Sequence, residues 1–239
     1  MNIQPHIILN DIDSRRIKGL LITSLPPISK PPIRTQVETV DGRSGDIVTP
    51  LGFSAYDKPV GIGLTYNYDI DEVIEYFNSS GNVIFSNEPD KIYQYAIYEQ
   101  IDFERLIRFK TAEVTLHVQP FKFSTFEKPQ TFNISSSPAT LTVYNAGNIY
   151  SRPIITITAT GDVALSLNGS EILDIEFGET EQTIIIDCEA MNAYNEQNIL
   201  LNRLVTGNYD NIKLNKGSNE ISLTGNVSSL TINKYSRWI

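Results

Sequence analysis

Two histidines, one cysteine and 28 carboxylates are the groups from which this 239-residue chain would have to build a reactive centre. His6 stands near the amino terminus and His117 stands inside an alternating segment. A zinc centre needs a set of nitrogen, thiolate or carboxylate ligands at characteristic spacing. With no His-x-x-x-His pattern, no His-Glu pattern and no cysteine pair, none can be written. A Ser-His-Asp triad would have to recruit one of these two histidines, and no Gly-x-Ser-x-Gly elbow supports it. Cys188 ends the run Ile184-Ile185-Ile186-Asp187 and is followed by Glu189. A reactive thiolate is favoured by positive surroundings, so here a buried structural thiol is expected.

Paired carboxylates are the remaining route to catalysis, because a glycosidase needs only two at a fitting separation. Asp69, Asp71 and Glu72 form one group; Asp174, Glu176, Glu179 and Glu181 form another. The first group is explained by helix capping and the helix dipole. The second is what so acidic a chain produces by chance. Gly61-Ile62-Gly63 lacks a third glycine and enters a strand rather than a helix, and Gly217-Ser218 lacks the glycine-rich Walker pattern, so no phosphate loop is read. The expectation is a non-enzyme without cofactor or metal.

The net charge is −9. Up to Lys128 there are 13 basic and 17 acidic residues, and beyond it 6 and 11, so no basic half hides behind the average. Tight binding of nucleic acid through its phosphates is therefore not expected. The start, Met1 to His6, lacks the basic, apolar and small-residue regions of a secretory signal. No run approaches the roughly 18 apolar residues of a spanning helix, so no membrane insertion is expected.

Strand-favouring Ile, Val, Thr, Tyr and Phe dominate the elements that must carry these groups. Ile7 to Ser24 reads as a pair of strands around the polar turn Asn10 to Arg16. Leu25-Pro26-Pro27 and Lys30-Pro31-Pro32 then exclude both a helix and a central strand, leaving an extended arm or connector. Arg34 to Val40 is a strand, and Asp41-Gly42-Arg43-Ser44-Gly45-Asp46 a tight turn. Val60 to Tyr68 is a strand with Ile62, Leu64 and Tyr66 on one face. One helix is read, Ile70 to Ser80, capped by Asp69 with Glu72 three residues on, carrying a core stripe of Val73, Ile74 and Phe77 and stopped by Gly81. Strands follow at Val83–Phe85, Tyr93–Ile101 and Ala112–Val118, the last alternating strictly. A boundary is placed near residue 128, giving domains 1–128 and 129–239.

Beyond it, candidate strands are Thr131–Ile134, Leu141–Tyr144, Ile154–Ala159, Val163–Leu167, Glu171–Ile175, Thr183–Asp187, Glu220–Thr224 and Leu230–Asn233. Asn168-Gly169 is the strongest hairpin signal, and Glu189 to Leu204 fits a loop or short helix. Many short strands imply a sandwich. Of the 23 aromatics, Tyr150, Tyr194, Tyr209 and Trp238 are of the type that stacks on sugars, though filling of cores and interfaces is the commoner use.

In order along the chain, several landmarks resemble the distal tail proteins of long-tailed phages, the Dit family. They are Val40-Asp41-Gly42-Arg43-Ser44-Gly45 after a Pro-rich segment, the short helix, and Val118-Gln119-Pro120-Phe121-Lys122-Phe123. Then come Asn145-Ala146-Gly147-Asn148, Ser151-Arg152-Pro153-Ile154-Ile155, Leu167-Asn168-Gly169 and Gly217-Ser218-Asn219-Glu220-Ile221. Ser218 departs from the Gly-Asn more usual in the family. The resemblance implies a mainly β protein: an N-terminal β-rich ring-forming domain with one short helix, then a galectin-like C-terminal β-sandwich. It implies a virion protein made in the bacterial host cytoplasm and placed at the tail tip. Its partners would be five more copies in a homo-hexamer, the tail tube protein and the tail hub or fibre, with DNA passing through the opening without specific binding. Pro26, Pro27, Pro31, Pro32 and Arg43 are the expected interface residues, and the opening is expected to be acidic. The alternative is a carbohydrate-binding module contacting the host cell surface through Tyr209 and Trp238.

Overall fold

A computed structural model describes residues 4–239, so the first three residues of the amino-terminal segment lie outside the described residues. The chain is mainly β and divides into two units, one ending at Thr125 and joined by Ile239, the other running Phe126–Trp238.

The first unit contains β1 (Ile7–Leu9), β2 (Ile12–Asp13), β3 (Leu20–Ser24), β4 (Ile33–Thr39), β5 (Asp46–Phe53) and β6 (Tyr56–Leu64). These are followed by α1 (Ile70–Phe77), β7 (Gly81–Phe85), β8 (Lys91–Ala96), α2 (Phe103–Phe109) and β9 (Thr111–Ser124). One antiparallel sheet runs in the order β2-β1-β7-β8-β9-β6-β3. Within the opening segment β1 pairs with the two-residue β2, not with β3, which pairs with β6 instead. Alternation puts Val114, Leu116 and Val118 of β9 and Val60, Ile62 and Leu64 of β6 inward, where they meet Ile7, Leu9, Val83, Phe85 and Tyr93. Tyr66 lies past the end of β6 and is fully exposed, contrary to the shared face expected for it.

Helix α1 begins where Asp69 accepts from the amides of Asp71 and Glu72, as its sequence demands. Glu72 does not reach back to close a capping box. Its carboxylate accepts from the Lys18 amide, while the Asp69 amide donates to the Lys18 carbonyl, and the helix is tied to the chain before β3. The buried stripe is Val73, Tyr76 and Phe77; Ile74 is 37% exposed, which corrects the stripe read from periodicity. Tyr76 can be buried because its hydroxyl donates to the carbonyls of Ile7 and Ile12, both at 3.2 Å. Asn78 caps the helix, and Gly81 starts β7 instead. The expectation of one helix is also corrected. Asp102 accepts from the Arg105 amide at 2.8 Å, Leu106 is buried, and Lys110 ends α2 in the left-handed region.

The second unit contains β10 (Gln130–Asn133), β11 (Ala139–Asn145), β12 (Ile154–Leu167), β13 (Ser170–Glu176), β14 (Gln182–Asp187), β15 (Asn192–Tyr194), β16 (Val205–Gly207), β17 (Gly217–Asn233) and β18 (Arg237–Trp238). Two pairs of short strands read from sequence are in fact two long, bent ones. The first half of β12 pairs with β14 and its second half with β13; β17 divides itself likewise between β11 and β10. The β12–β17 register slips at Thr158/Ala159 and Thr160/Ala164, beside Gly161 at φ +69° and Gly225 at φ +112°. Such bends let one strand serve both layers of a sandwich. The core between them holds Ile155, Ile157, Leu165, Leu173, Ile184, Ile186, Leu223, Leu230 and Ile232. Asn168-Gly169 is the β12–β13 turn, with both residues at positive φ, as that dipeptide implies.

Buried asparagines close the loops. Asn145, with no exposed surface, donates to the carbonyls of Ile149 and Leu214 and accepts from the Gly147 amide. Asn219 holds both the amide and the carbonyl of Asn215 at 2.8 Å. The segment 189–204, expected as a loop or short helix, is loop with a short 3-10 helix at Asn202–Leu204 and, in addition, the strand β15.

Two expectations follow. A Cβ at Gly225 would meet the Asp162 carbonyl at 2.3 Å in a backbone L-residues avoid, so Gly225→Ala should lower unfolding free energy by about 1–3 kcal/mol in a denaturant titration. Cys188 is buried, which raises its pKa well above the usual thiol range. Ellman's reagent should leave the native thiol unmodified and react only once the second unit is unfolded.

Candidate assembly surface

The Pro-rich segment and the turn after it bracket an element that neither core accounts for. Residues of β4 and β5 pair only with each other, from Ile33↔Phe53 to Thr39↔Asp46. Gly42 and Gly45, both at φ +80°, form the turn, and the Arg43 amide donates to the Val40 carbonyl at 3.1 Å. The Thr39 hydroxyl bonds the Asp46 carboxylate at 3.0 Å beside it.

Period-two geometry sorts the side chains. Directly opposed pairs share a face, so Ile33 with Phe53, Thr35 with Pro50 and Val37 with Val48 make one predominantly apolar side. Arg34, Gln36, Glu38, Ile47 and Thr49 occupy the other, and the polar pair Thr39 with Asp46 ends the first. Yet Ile33, Val37 and Val48 are 46%, 54% and 56% exposed, and Leu51, displaced at the register shift, is 54% exposed. Full burial of such a side chain stabilises by about 1.5–3 kcal/mol. A lone two-stranded hairpin is marginal in water. This ribbon therefore presents a substantial unsatisfied apolar face.

At its base the ribbon is tied to the first unit. Phe53 packs edge-on against Phe121 at 5.9 Å, and the Ser54 amide donates to the Pro32 carbonyl at 2.8 Å. Pro26 and Pro31 are buried, whereas Pro27 and Pro32 are exposed. The four prolines sit together at the root; Arg43 is exposed at the far tip, roughly 20 Å of strand away at the usual rise per residue. Sequence reading missed β5, because Pro50 and Gly52 argue against a strand, but a ribbon with two open edges tolerates both.

The other residues that could do chemistry are engaged in structure. His117 faces Asp57 at 2.7 Å and the ring of Tyr98 at 5.3 Å; the Nδ1 of His6 lies 2.9 Å from the Gln4 carbonyl. Asp174 and Glu176 are exposed on β13. Among the described residues no three of His, Cys, Asp and Glu gather at metal-binding distance, and no helix is long and apolar enough to cross a membrane. Arg152 joins the Cys188 carbonyl at 3.1 Å to Asp210 at 2.8 Å. Tyr209 is half-buried in a 3-10 turn and packs on the second core; Trp238 is half-buried in β18.

The fold of the chain is similar to that of solved structures. The SPP1 Dit protein (gp 19.1), described as a paradigm of the hub adsorption apparatus in phages infecting Gram-positive bacteria, superposes with a TM-score of 0.71 at 13% identity. The match covers 96% of this chain and 98% of that one. The chain has the Dit fold. A chain of the phage P2 baseplate, in its activated conformation with calcium, matches at a TM-score of 0.50 and 9% identity over 96% and 97%. No protein-family model and no curated protein matches by sequence. At 13% identity the likeness is one of fold rather than of residues.

Placing a charge on the apolar face tests its role. Val37→Asp with Val48→Asp should leave the thermal unfolding of both units essentially unchanged. It should weaken self-association at least about tenfold in sedimentation velocity, the effect of losing about 1.4 kcal/mol of apolar burial.

Proposed function

We propose that this chain is a structural protein of a phage tail tip. Six copies close into a ring that joins the tail tube to the hub or fibre and leaves an opening for DNA. The first unit forms the ring and the second is carried on it. The observation that supports this most directly is a Dit fold spanning nearly the whole chain, combined with an apolar ribbon that the single chain leaves uncovered. A cyclic assembly needs two different surfaces that meet head to tail. A ribbon extending from one subunit onto its neighbour supplies one of them.

The charge of −9 fits passage of DNA better than capture of it. The sugar-binding alternative has less support, because Tyr209 turns part of its ring to its own core and so offers less of a stacking face. The virion tail tip is the corresponding location.

Light scattering on the purified protein should return six times the 26.8 kDa of one chain, or twice that for stacked rings, and negative-stain images should show annular particles with an open centre. A strict monomer at high concentration overturns the proposal, and a solved ring with a strongly basic opening overturns the reading of its charge.

A further inference from the structure

Lys58 occupies a core-facing position of β6, in phase with Val60, Ile62 and Leu64, and is only 2% exposed. Its ammonium lies 4.9 Å from the ring centre of Tyr93 and 5.5 Å from those of Tyr56 and Phe85. A second buried lysine, Lys122, takes the nearby carboxylate: its Nζ is 3.0 Å from one oxygen of Glu88, and the other oxygen accepts from the Tyr93 hydroxyl. Lys58 is thus left with Glu88 as a nearby charge rather than as an ion-pair partner. The hydrogen bond that Lys58 makes goes instead to the carbonyl of Pro27, at 3.0 Å. Next to it, the Asn87 amide donates to the Pro26 carbonyl, also at 3.0 Å.

We propose that Lys58 is a positioning residue for assembly: its ammonium clasps the Pro-rich arm onto the sheet and so sets where the β4–β5 ribbon is presented. The inference rests on the ring reading and deepens it. The arm needs such a clasp. It joins no ladder, and its four prolines have no amide to offer, so its carbonyls are the handles by which a side chain can hold it. From Pro27 the path to the ribbon is short: Pro31 is buried, Pro32 accepts from Ser54, and Ile33 begins β4.

Stability alone does not explain a lysine here. Burial disfavours the charged ammonium and lowers its pKa, while Glu88 opposes that shift. Contacts with aromatic faces recover part of the desolvation. An unbranched apolar side chain of similar length would fill the same cage without it, since buried charges replaced by well-packed apolar groups are often neutral or stabilising. What such a replacement loses is the grip on Pro27.

Lys58→Met separates the two roles. The variant should unfold thermally at or above the wild-type temperature. Hydrogen exchange at the arm's root, read at the Ser54 amide that donates to the Pro32 carbonyl, should accelerate at least about tenfold, and ring formation should require at least about tenfold more protein. Unchanged exchange at that amide overturns the clasp, and so do variant rings forming at the wild-type concentration. If the wild type itself forms no ring, the ring reading falls, and that exchange alone then decides the clasp. Should Lys58→Met fail to fold, Asn87→Ala, on an exposed side chain, frees the adjacent carbonyl and is held to the same exchange criterion.

Discussion

A ribbon of two strands cannot bury a face against itself. The inward side chains of the main sheet of the first unit meet partners across the core, but Ile33, Val37 and Val48 touch only their cross-strand neighbours and have no layer over them. Hydrophobic burial is the dominant favourable term in folding and association, so this deficit is the constraint around which the first unit is arranged. The sheet from β2 to β3 provides a body that folds by its own core. The buried prolines, the Phe53–Phe121 contact and the Ser54–Pro32 hydrogen bond connect the ribbon to that body, covering its apolar side only at Phe53.

The second unit is self-sufficient by contrast. Its two long strands pass through both layers, so neither layer can slide without breaking the ladder of the other. The bends are placed where Gly161 and Gly225 supply positive φ. Asn145 and Asn219 make most of the bonds their amides allow, inside loops where water is excluded. Fully satisfied buried polar groups fix one loop geometry, because any alternative leaves a donor or acceptor unpaired.

Those asparagines explain which parts of the fold were legible in the sequence. Asn168-Gly169 announces a hairpin because the turn requires positive φ at both positions. Alternation in 111–118 announces a strand with one buried face. The landmarks at 145–148 and 217–221 are visible for the same reason, since each is a short polar string whose groups have a specific task. What stays hidden is set by partners distant in sequence. Gly161 and Gly225 look like the ends of strands, whereas pairing on both sides makes them bends within one. Pro50 looks like a breaker and becomes harmless only because nothing pairs outside β5. Helix α2 shows only a short apolar pattern, and Leu106 is its single fully buried contact. Of the ribbon and its root, the Pro-rich segment and the turn around Arg43 were legible in the sequence, because proline and paired glycines carry a local conformational meaning. Lys58 was not, because a lone lysine in an apolar strand carries no local sign that its ammonium faces inward.

The ribbon must also avoid open-ended growth. It has two unpaired edges, and an exposed, flat, apolar edge is a template for indefinite strand addition. Here the edges are interrupted. Pro50 removes one amide, Gly52 at φ +116° and the register shift at Arg34/Thr35 kink the ribbon, and Arg34, Glu38 and Asp46 place charges along it. These features discourage backbone pairing and leave the apolar face as the favourable contact. A face meets a surface of matching shape, whereas an edge accepts any strand. In the proposed ring, contact through the face makes the angle between copies depend on side-chain packing. A ring of defined size requires that angle to be fixed, and a ladder that could slip by two residues would not fix it.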